Sequence, residues 1–392
     1  MKIGIITLYY KNNNYGGVAQ AYALYKYFSN LGYECELITY NKKPSTLNLV
    51  NKNKNLKMII NRCKGKLRRI SHVPIEKYLS KRYKSELETR GQKLENFRNS
   101  IPHSKIYSLE TISEVSDKYD IFITGSDQVW NPGVVDQAFV FYFLKNQNKK
   151  ILSYASSVAV TDVTGKYKDF MKKELEKYSF ISVREKSSKD VIQSLTNKNV
   201  EWVMDPTLIL DRKNWEELAT KRIIKEKYIF SYMIGDNKRQ RKQIEKFAKQ
   251  ENLLLVTLPY IKNGNRFEFR IEDYKFGNKQ MLDITFEDFL NLIKYSEYVI
   301  TDSFHAICFS YIFKKEFYAF EKGTLVSTNS RIYTLLELFE TTNRIVKDEI
   351  EKDSTLLDYD KIDINMSRKI EDSKKFLKTA LDTFNGGNIN AK

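Results

Sequence analysis

The sequence predicts an α/β protein of two Rossmann-like domains in a GT-B-type arrangement, facing one another across an interdomain cleft. Three observations point there. Short, continuously apolar runs alternate with helix-periodic stretches, as expected of parallel strands buried on both faces. The alternation occurs twice, before and after Asp205-Pro206-Thr207. Polar residues follow several of the runs directly, where ligands meet the open edge of a doubly wound sheet.

Element by element, Ile3–Leu8 is the first buried strand, and Lys11 to Gly17 (KNNNYGG) is a polar glycine turn. Val18–Leu31 has helical periodicity and stops at Gly32, a typical residue just past a helix end. Cys35–Tyr40, Tyr119–Thr124, Ile151–Ala155, Phe180–Val183 and Trp202–Met204 continue the strands, with a helix over Tyr167–Tyr178. Leu208–Trp215 reads as a linker. The second unit runs through strands at Lys227–Tyr232, Leu253–Thr257, Tyr298–Thr301 and Glu316–Phe320. Its helices are expected at Lys238–Glu251, Thr285–Lys294, Ser303–Phe313 and Ile332–Phe339, and a last polar helix at Ser367–Thr383. The expected domains are 1–210, 225–345 and a helical tail over 346–392, with a basic insertion at about 46–110.

Composition narrows the function classes. The chain has 392 residues, 42% apolar and 29% charged, which suits a globular protein with a large core. No apolar run reaches the ~18 residues of a membrane helix, and MKIGIITLYY reads as a strand rather than a signal peptide. Three scattered cysteines exclude a disulfide scaffold and suit a reducing cytoplasm. With three histidines and no ligand spacing, neither a metal nor a cofactor is expected. The net charge of +17 calls for an anionic partner. Most of it lies within 42–84, which holds fourteen Lys or Arg and one acid, Glu76. Lys57–Ile70 mixes apolar residues into this run, which suits docking on an anionic membrane surface. No nucleic-acid-binding motif accompanies it, so nucleic acid is not an expected partner. The expected location is therefore cytoplasmic, peripheral on the inner membrane face.

Four post-strand segments carry candidate chemistry. Asn14-Tyr15-Gly16-Gly17 brings backbone N–H groups toward an anion or sugar. Ser126-Asp127-Gln128, with Trp130 and Asn131, combines a carboxylate with an aromatic and amides, as a sugar platform does. Arg184 follows a strand and can grip a carboxylate or phosphate by two bonds. Thr301-Asp302-Ser303-Phe304-His305 puts a histidine in a first helical turn, suited to a general acid or phosphate ligand, and Lys322 and Arg331 lie downstream. Each has a plainer reading as a turn, a cap, a packed aromatic or an ion pair.

In order along the chain, IGIITLYYKNNNYGGVAQAYAL, FITGSDQVWNP, SYASSVA, ISVREKSS, VMDPTLIL, ITDSFHAI and TNSRIYTLLELF resemble the polysaccharide pyruvyl transferase family, over about 1–45 and 115–345. The resemblance implies a GT-B protein that moves the pyruvyl group of phosphoenolpyruvate onto two sugar hydroxyls as a ketal, in capsule, exopolysaccharide or cell-wall glycan synthesis. It implies donor binding by Arg184, Ser303, Phe304, His305, Lys322 and Arg331. Acceptor binding falls to Asn14, Tyr15, Gly16, Gly17, Ser126, Asp127, Gln128, Trp130 and Asn131. His305 would protonate carbon or assist phosphate departure, and Asp127 would accept a hydroxyl proton or orient the sugar. The acceptor would be a lipid-linked or nucleotide-linked sugar. Ser303 stands where some members carry arginine, two residues before the motif histidine, so Arg331 or Lys322 is expected to supply that charge. Two alternatives stay open: a GT-B glycosyltransferase using a nucleotide-sugar, and a non-catalytic homologue that binds glycan or membrane.

Overall fold

In the first half, strand β1 (Lys2–Ile6) pairs with β2 (Glu34–Leu37) on one side and β3 (Ile121–Thr124) on the other, and β4 (Lys150–Ser153) follows. All pairings are parallel. Bridges from Leu152 to Phe180 and Ser156 to Val183 join a further parallel pair, β5 (Ile181–Val183) and β6 (Val200–Trp202), to this edge. The second half holds β7 (Tyr228–Tyr232), β8 (Leu254–Thr257), β9 (Lys279–Gln280), β10 (Tyr298–Thr301) and β11 (Glu316–Ala319), in the order β11-β10-β7-β8-β9. The computed structural model describes residues 1–43, 47, 49, 72–144, 149–161, 163–261, 269–322, 329–352 and 355–386. Among them no helix is long and apolar enough to cross a membrane.

The two strand orders decide where a site can form. In each sheet the chain reverses its winding direction once, between β1 and β3 and between β7 and β10. Helices on opposite faces leave a crevice at such a switch point, beyond the carboxyl ends of the strands. Three of the four motif segments start there: 14–17 after β1, 126–131 after β3 and 302–305 after β10.

Helix α1 (Tyr15–Asn30) starts three residues before its predicted start, because the Asn14 side chain caps it by accepting from Gly16 N at 3.0 Å. Gly32, at φ +83°, closes its far end. A helix over 72–82, α2, leads into α3 (Lys84–Ser100). Residues 84–100 were expected inside the basic insertion, but α3 buries Leu94 and Phe97 in the main core. Lys52 to Arg69, the centre of the expected membrane-docking run, falls outside the described residues.

The helices α4 (Gly165–Leu175) and α5 (Lys186–Gln193) continue the first half. The expected linker is two short helices, α6 (Pro206–Ile209) and α7 (Arg212–Leu218), and buries Trp215. Then come α8 (Lys238–Gln250), α9 (Phe286–Lys294) behind a Thr285/Asp288 capping box, α10 (Phe304–Ile312) and α11 (Ser330–Leu338). The final helix α12 (Tyr359–Phe384) starts eight residues before the predicted one. It begins on the second half, where Asp363 pairs with Lys314 at 2.6 Å. It ends on the first, where Phe376 and Phe384 meet Phe180 edge-on. One long apolar cluster runs through both halves, from Ile3 and Ile5 of β1 to Phe230 of β7.

Candidate functional site at the seam between the halves

The N-terminus of α1 and the first turn of α10 meet face to face. A Cβ built on Gly16 would lie 2.1 Å from His305 Nδ1, so the glycine is bare because the imidazole occupies that space. Tyr15 does not face a substrate. Its ring stacks on Phe289 with centroids 4.7 Å apart, its hydroxyl donates to Ile284 O at 3.2 Å, and it is fully buried. It ties α1 to α9, and its expected acceptor role gives way to packing. Gly16 and Gly17 belong to the helix rather than to a glycine turn before it. A Cβ on Gly17 would meet Asn12 Nδ2 at 2.3 Å.

The loop after β3 divides in two. Ser126 is buried and donates to Asp205 Oδ2 at 3.1 Å, while its carbonyl accepts from Thr7 Oγ1 at 2.7 Å. Asp127 sits at φ 75°, a left-handed conformation costly for a residue with a Cβ, and holds its carboxylate 3.6 Å from Arg184 Nη2. Beyond them the loop is structural. Trp130 is fully buried, edge-on to Tyr178 at 5.7 Å. The ring expected as a sugar platform is enclosed by the core in this structure. Asn131 accepts from Gly133 N at 2.9 Å, donates to Val158 O at 3.0 Å and meets the partly exposed Gln128 at 3.5 Å.

Arg184, at the end of β5, is buried among carboxylates. Nη1 donates to Asp205 Oδ2 at 2.8 Å and Nε to Glu185 Oε1 at 3.1 Å. Burial opposes its charge, but Glu185, Asp205 and Asp127 outweigh that and raise its pKa. Asp205 is equally constrained: Oδ1 accepts from Thr207 N and Thr207 Oγ1 at 3.0 and 2.7 Å. Burial alone would raise its pKa. His305, whose Nε2 lies 3.7 Å from Oδ2, and Arg184 instead hold it well below the carboxylate range. Among the described residues neither His305 Nε2 nor Arg184 Nη2 has a hydrogen-bond partner, although both are buried.

Phe304 packs between two arginines, its ring 4.9 Å from the Arg184 guanidinium and 5.8 Å from that of Arg331. Burial and the nearby Arg184 lower the Arg331 pKa. Burial and Arg331 push Lys322 down to about 8. Ser303 caps α10, its Oγ accepting from Ala306 N at 3.4 Å, which is a helix-cap role rather than a ligand position. Asp302 turns away, accepting from Ile234 N and Gly235 N, both at 2.6 Å. The structure thus gathers Ser126, Asp127, Phe304, His305 and Arg331 around Arg184 and Asp205, with Lys322 near Arg331. Trp130, Tyr15 and Asn131 are committed to packing and turns. The sequence reading missed Asp205. It follows Trp202–Met204, the same post-strand position that singled out the others, but the adjoining proline made it read as a boundary. A set of cations with two open donors, at a helix start and facing one poised carboxylate, suits binding of a multiply charged oxyanion next to a proton acceptor.

A family model for polysaccharide pyruvyl transferases matches residues 14–321. The chain belongs to that family. No curated protein matches the sequence. Among solved structures, the UDP-GlcNAc 2-epimerase of Methanocaldococcus jannaschii is similar at 11% identity and TM-score 0.51, covering 94% of this chain and 93% of its own. UDP-N-acetylglucosamine 2-epimerase from Rickettsia bellii is similar at 9% identity and TM-score 0.50, covering 100% and 98%. At such identities the likeness concerns the fold, which is of the GT-B type. Asp127, Arg184, Asp205 and His305 all lie within the matched residues and meet at the seam.

Proposed function

We propose that this protein transfers the pyruvyl group of phosphoenolpyruvate onto two hydroxyls of a sugar, closing a ketal and releasing phosphate. The observation that supports this most is the pair of buried donors without partners, Arg184 Nη2 and His305 Nε2, beside Arg331 and Lys322 at the start of α10. Phosphoenolpyruvate brings a carboxylate and a phosphate, and this cluster offers cations for both. His305 delivers a proton to the methylene carbon, leaving C2 electron-poor. A sugar hydroxyl attacks C2 and gives its proton to Asp127. The C–O bond to phosphate breaks with its electron pair leaving on the phosphate. The second hydroxyl adds to C2 to close the ketal and gives its proton to the phosphate, and the proton taken by Asp127 returns to His305, which restores both groups. Gly16 lets the ring of His305 sit against α1, so closure of the halves completes the site and excludes water.

The acceptor in this reading is a lipid-linked or nucleotide-linked sugar, and the work is done at the cytoplasmic membrane face. The exposed Ile75 and Tyr78 of α2, beside Lys77 and Lys81, support docking of 42–84 on anionic lipid. The first test is thermal stability with phosphoenolpyruvate, phosphate, pyruvate and nucleotide-sugars. At 100 times its dissociation constant a ligand adds ~2.7 kcal/mol, or roughly 2–4 °C per kcal/mol. A shift for phosphoenolpyruvate that is lost in His305→Ala, with acceptor-dependent phosphate release falling about 10²–10⁴-fold, is expected. A shift with nucleotide-sugars alone would replace pyruvyl transfer by glycosyl transfer.

A further inference from the structure

We infer that Arg90 and Tyr232 form a second anion subsite, next to Tyr15, which binds the phosphoryl group of the sugar acceptor's carrier. Arg90 comes from α3 of the first half and is fully buried at the seam. Its Nη1 donates to Pro259 O at 2.7 Å, after β8, and its guanidinium lies 5.0 Å from the Tyr15 ring centroid. Nε and Nη2 have no hydrogen-bond partner, and among the described residues no carboxylate pairs with them. Three of the other five buried arginines among the described residues, 184, 241 and 344, each face a carboxylate, Asp205, Asp273 and Glu316 respectively, at 2.6 to 2.9 Å. A guanidinium taken out of water without a counter-charge destabilises a fold. Stacking on one tyrosine offsets part of that cost.

The open edge has the right chemistry for a phosphate. Nε–H and Nη2–H are the parallel donors that engage two oxygens of an oxyanion at once. The hydroxyl of Tyr232, at the end of β7, is also buried without a partner, and its ring meets Tyr15 edge-on at 6.2 Å. It supplies a third donor. Tyr260 adjoins Tyr232 with centroids 6.4 Å apart and carries the Arg270 guanidinium 4.4 Å above its ring, a second positive charge nearby. Asp302, on the neighbouring strand end, directs both oxygens to the backbone N–H groups of Ile234 and Gly235 rather than to this edge. Two cations and three donors favour a phosphoryl group over a carboxylate.

The choice of ligand rests on the function proposed above. There the donor's phosphate goes to the His305 cluster, so a second phosphoryl group belongs to the other substrate. Both a nucleotide-linked and a lipid-linked sugar carry a diphosphate, and that is the shared chemistry recognised here. The test uses the full-length protein and its Arg90→Met, Arg90→Lys and Tyr232→Phe variants. Melting temperatures are titrated with inorganic pyrophosphate, uridine diphosphate, a short polyprenyl diphosphate in detergent micelles and, separately, phosphoenolpyruvate. Pyrophosphate is expected to stabilise the unmodified protein, with affinity at least tenfold weaker in Arg90→Met and severalfold weaker in Tyr232→Phe. The phosphoenolpyruvate response should be unchanged in both. Without ligand, Arg90→Met should melt no lower than the parent. If it does not fold, Arg90→Lys must show the weakened pyrophosphate binding. Tighter binding of uridine diphosphate than pyrophosphate assigns a nucleotide carrier, and tighter binding of the polyprenyl compound a lipid one. No response to any diphosphate, or an unchanged pyrophosphate affinity in the Arg90 variants, overturns the subsite. Failure of the pyruvyl-transfer reading shows instead in the phosphoenolpyruvate titration alone.

Discussion

Arg184 and Arg90 are both buried at the same seam, and their surroundings are opposite. Arg184 is enclosed by Asp205, Glu185 and Asp127, with only Nη2 left open. Arg90 faces a tyrosine ring and a carbonyl, with Nε and Nη2 both open. The first region is already neutralised, so its geometry holds whether or not substrate is present, as catalysis by positioned charges requires. The second lacks a counter-charge, so it gains most when an anion arrives. The carboxylates around Arg184 fix its position and leave Nη2 for the donor, whereas Arg90 has no counter-charge until an anion arrives.

The sharpest way to break this comparison is to remove the compensation around Arg184. Asp205→Asn keeps the shape and deletes the charge. Breaking a buried pair from one side costs about 3–5 kcal/mol, to be read from urea unfolding. An Arg184→Met change made on top should cost less than the same change in the unmodified protein, since the pair with Asp205 is already broken while Glu185 still loses its cation. The low pKa of Asp205 adds a sign. Its folded pKa is depressed, so its contribution is complete above the unfolded value near 4 and fades as pH falls below it. A stability unchanged in Asp205→Asn would show that Arg184 is held by other means.

Trp130 sharpens the same contrast from the packing side. Enclosed against Tyr178, its change to alanine should cost about 3–5 kcal/mol, with the acceptor KM of the surviving folded enzyme unmoved. A raised KM at intact stability would restore the sugar platform. Next in size is Gly16→Ala, where the new methyl must displace His305 or part the halves. Overpacking of this kind costs about 1–3 kcal/mol, and a ring misplaced by about 1 Å lowers turnover by about 10²-fold. Gly17→Ala meets Asn12 Nδ2 and the Leu8 carbonyl instead of His305, and is the comparison variant. Equal activity in the two alanine variants would mean that the approach of α1 to His305 is incidental.

These residues also mark how far the sequence could be read. The buried runs and their post-strand positions were legible because parallel strands impose continuous apolarity and put ligands at their carboxyl ends. That rule singled out His305, Asp127 and Arg184, which the structure brings together. It could not place Trp130, since an aromatic beside amides has the same local pattern in a sugar site and in a core, and only tertiary packing against Tyr178 decides. The start of α1 was misplaced because two glycines read as a turn, whereas Asn14 caps the helix ahead of them. The eight extra residues of α12 carry apolar residues four apart, Ile362 and Met366, in step with Ile370 of the predicted part, but polar neighbours mask the period. Arg90 could not have been singled out at all. Nothing in its local sequence tells that α3 carries it across the seam to Pro259.

The smallest effect expected concerns Lys322, and it tests whether the His305 side of the seam is a working anion site. Burial and the adjacent Arg331 push this amine down to about 8. It is charged below that pH and neutral above it. Donor affinity should therefore fall as pH rises through about 8, by about tenfold if one charge-assisted bond of about 1.5 kcal/mol is lost. Fold stability should move the opposite way. The folded pKa lies below the unfolded value of about 10.4, so between the two the unfolded chain binds more protons, and stability rises with pH across that window. A ligand-binding curve and an unfolding curve with opposite slopes over the same pH range separate a binding amine from a structural one. Lys322→Arg, charged throughout, should flatten both. If donor affinity keeps its pH dependence in that variant, another group carries it and Lys322 is not a donor ligand.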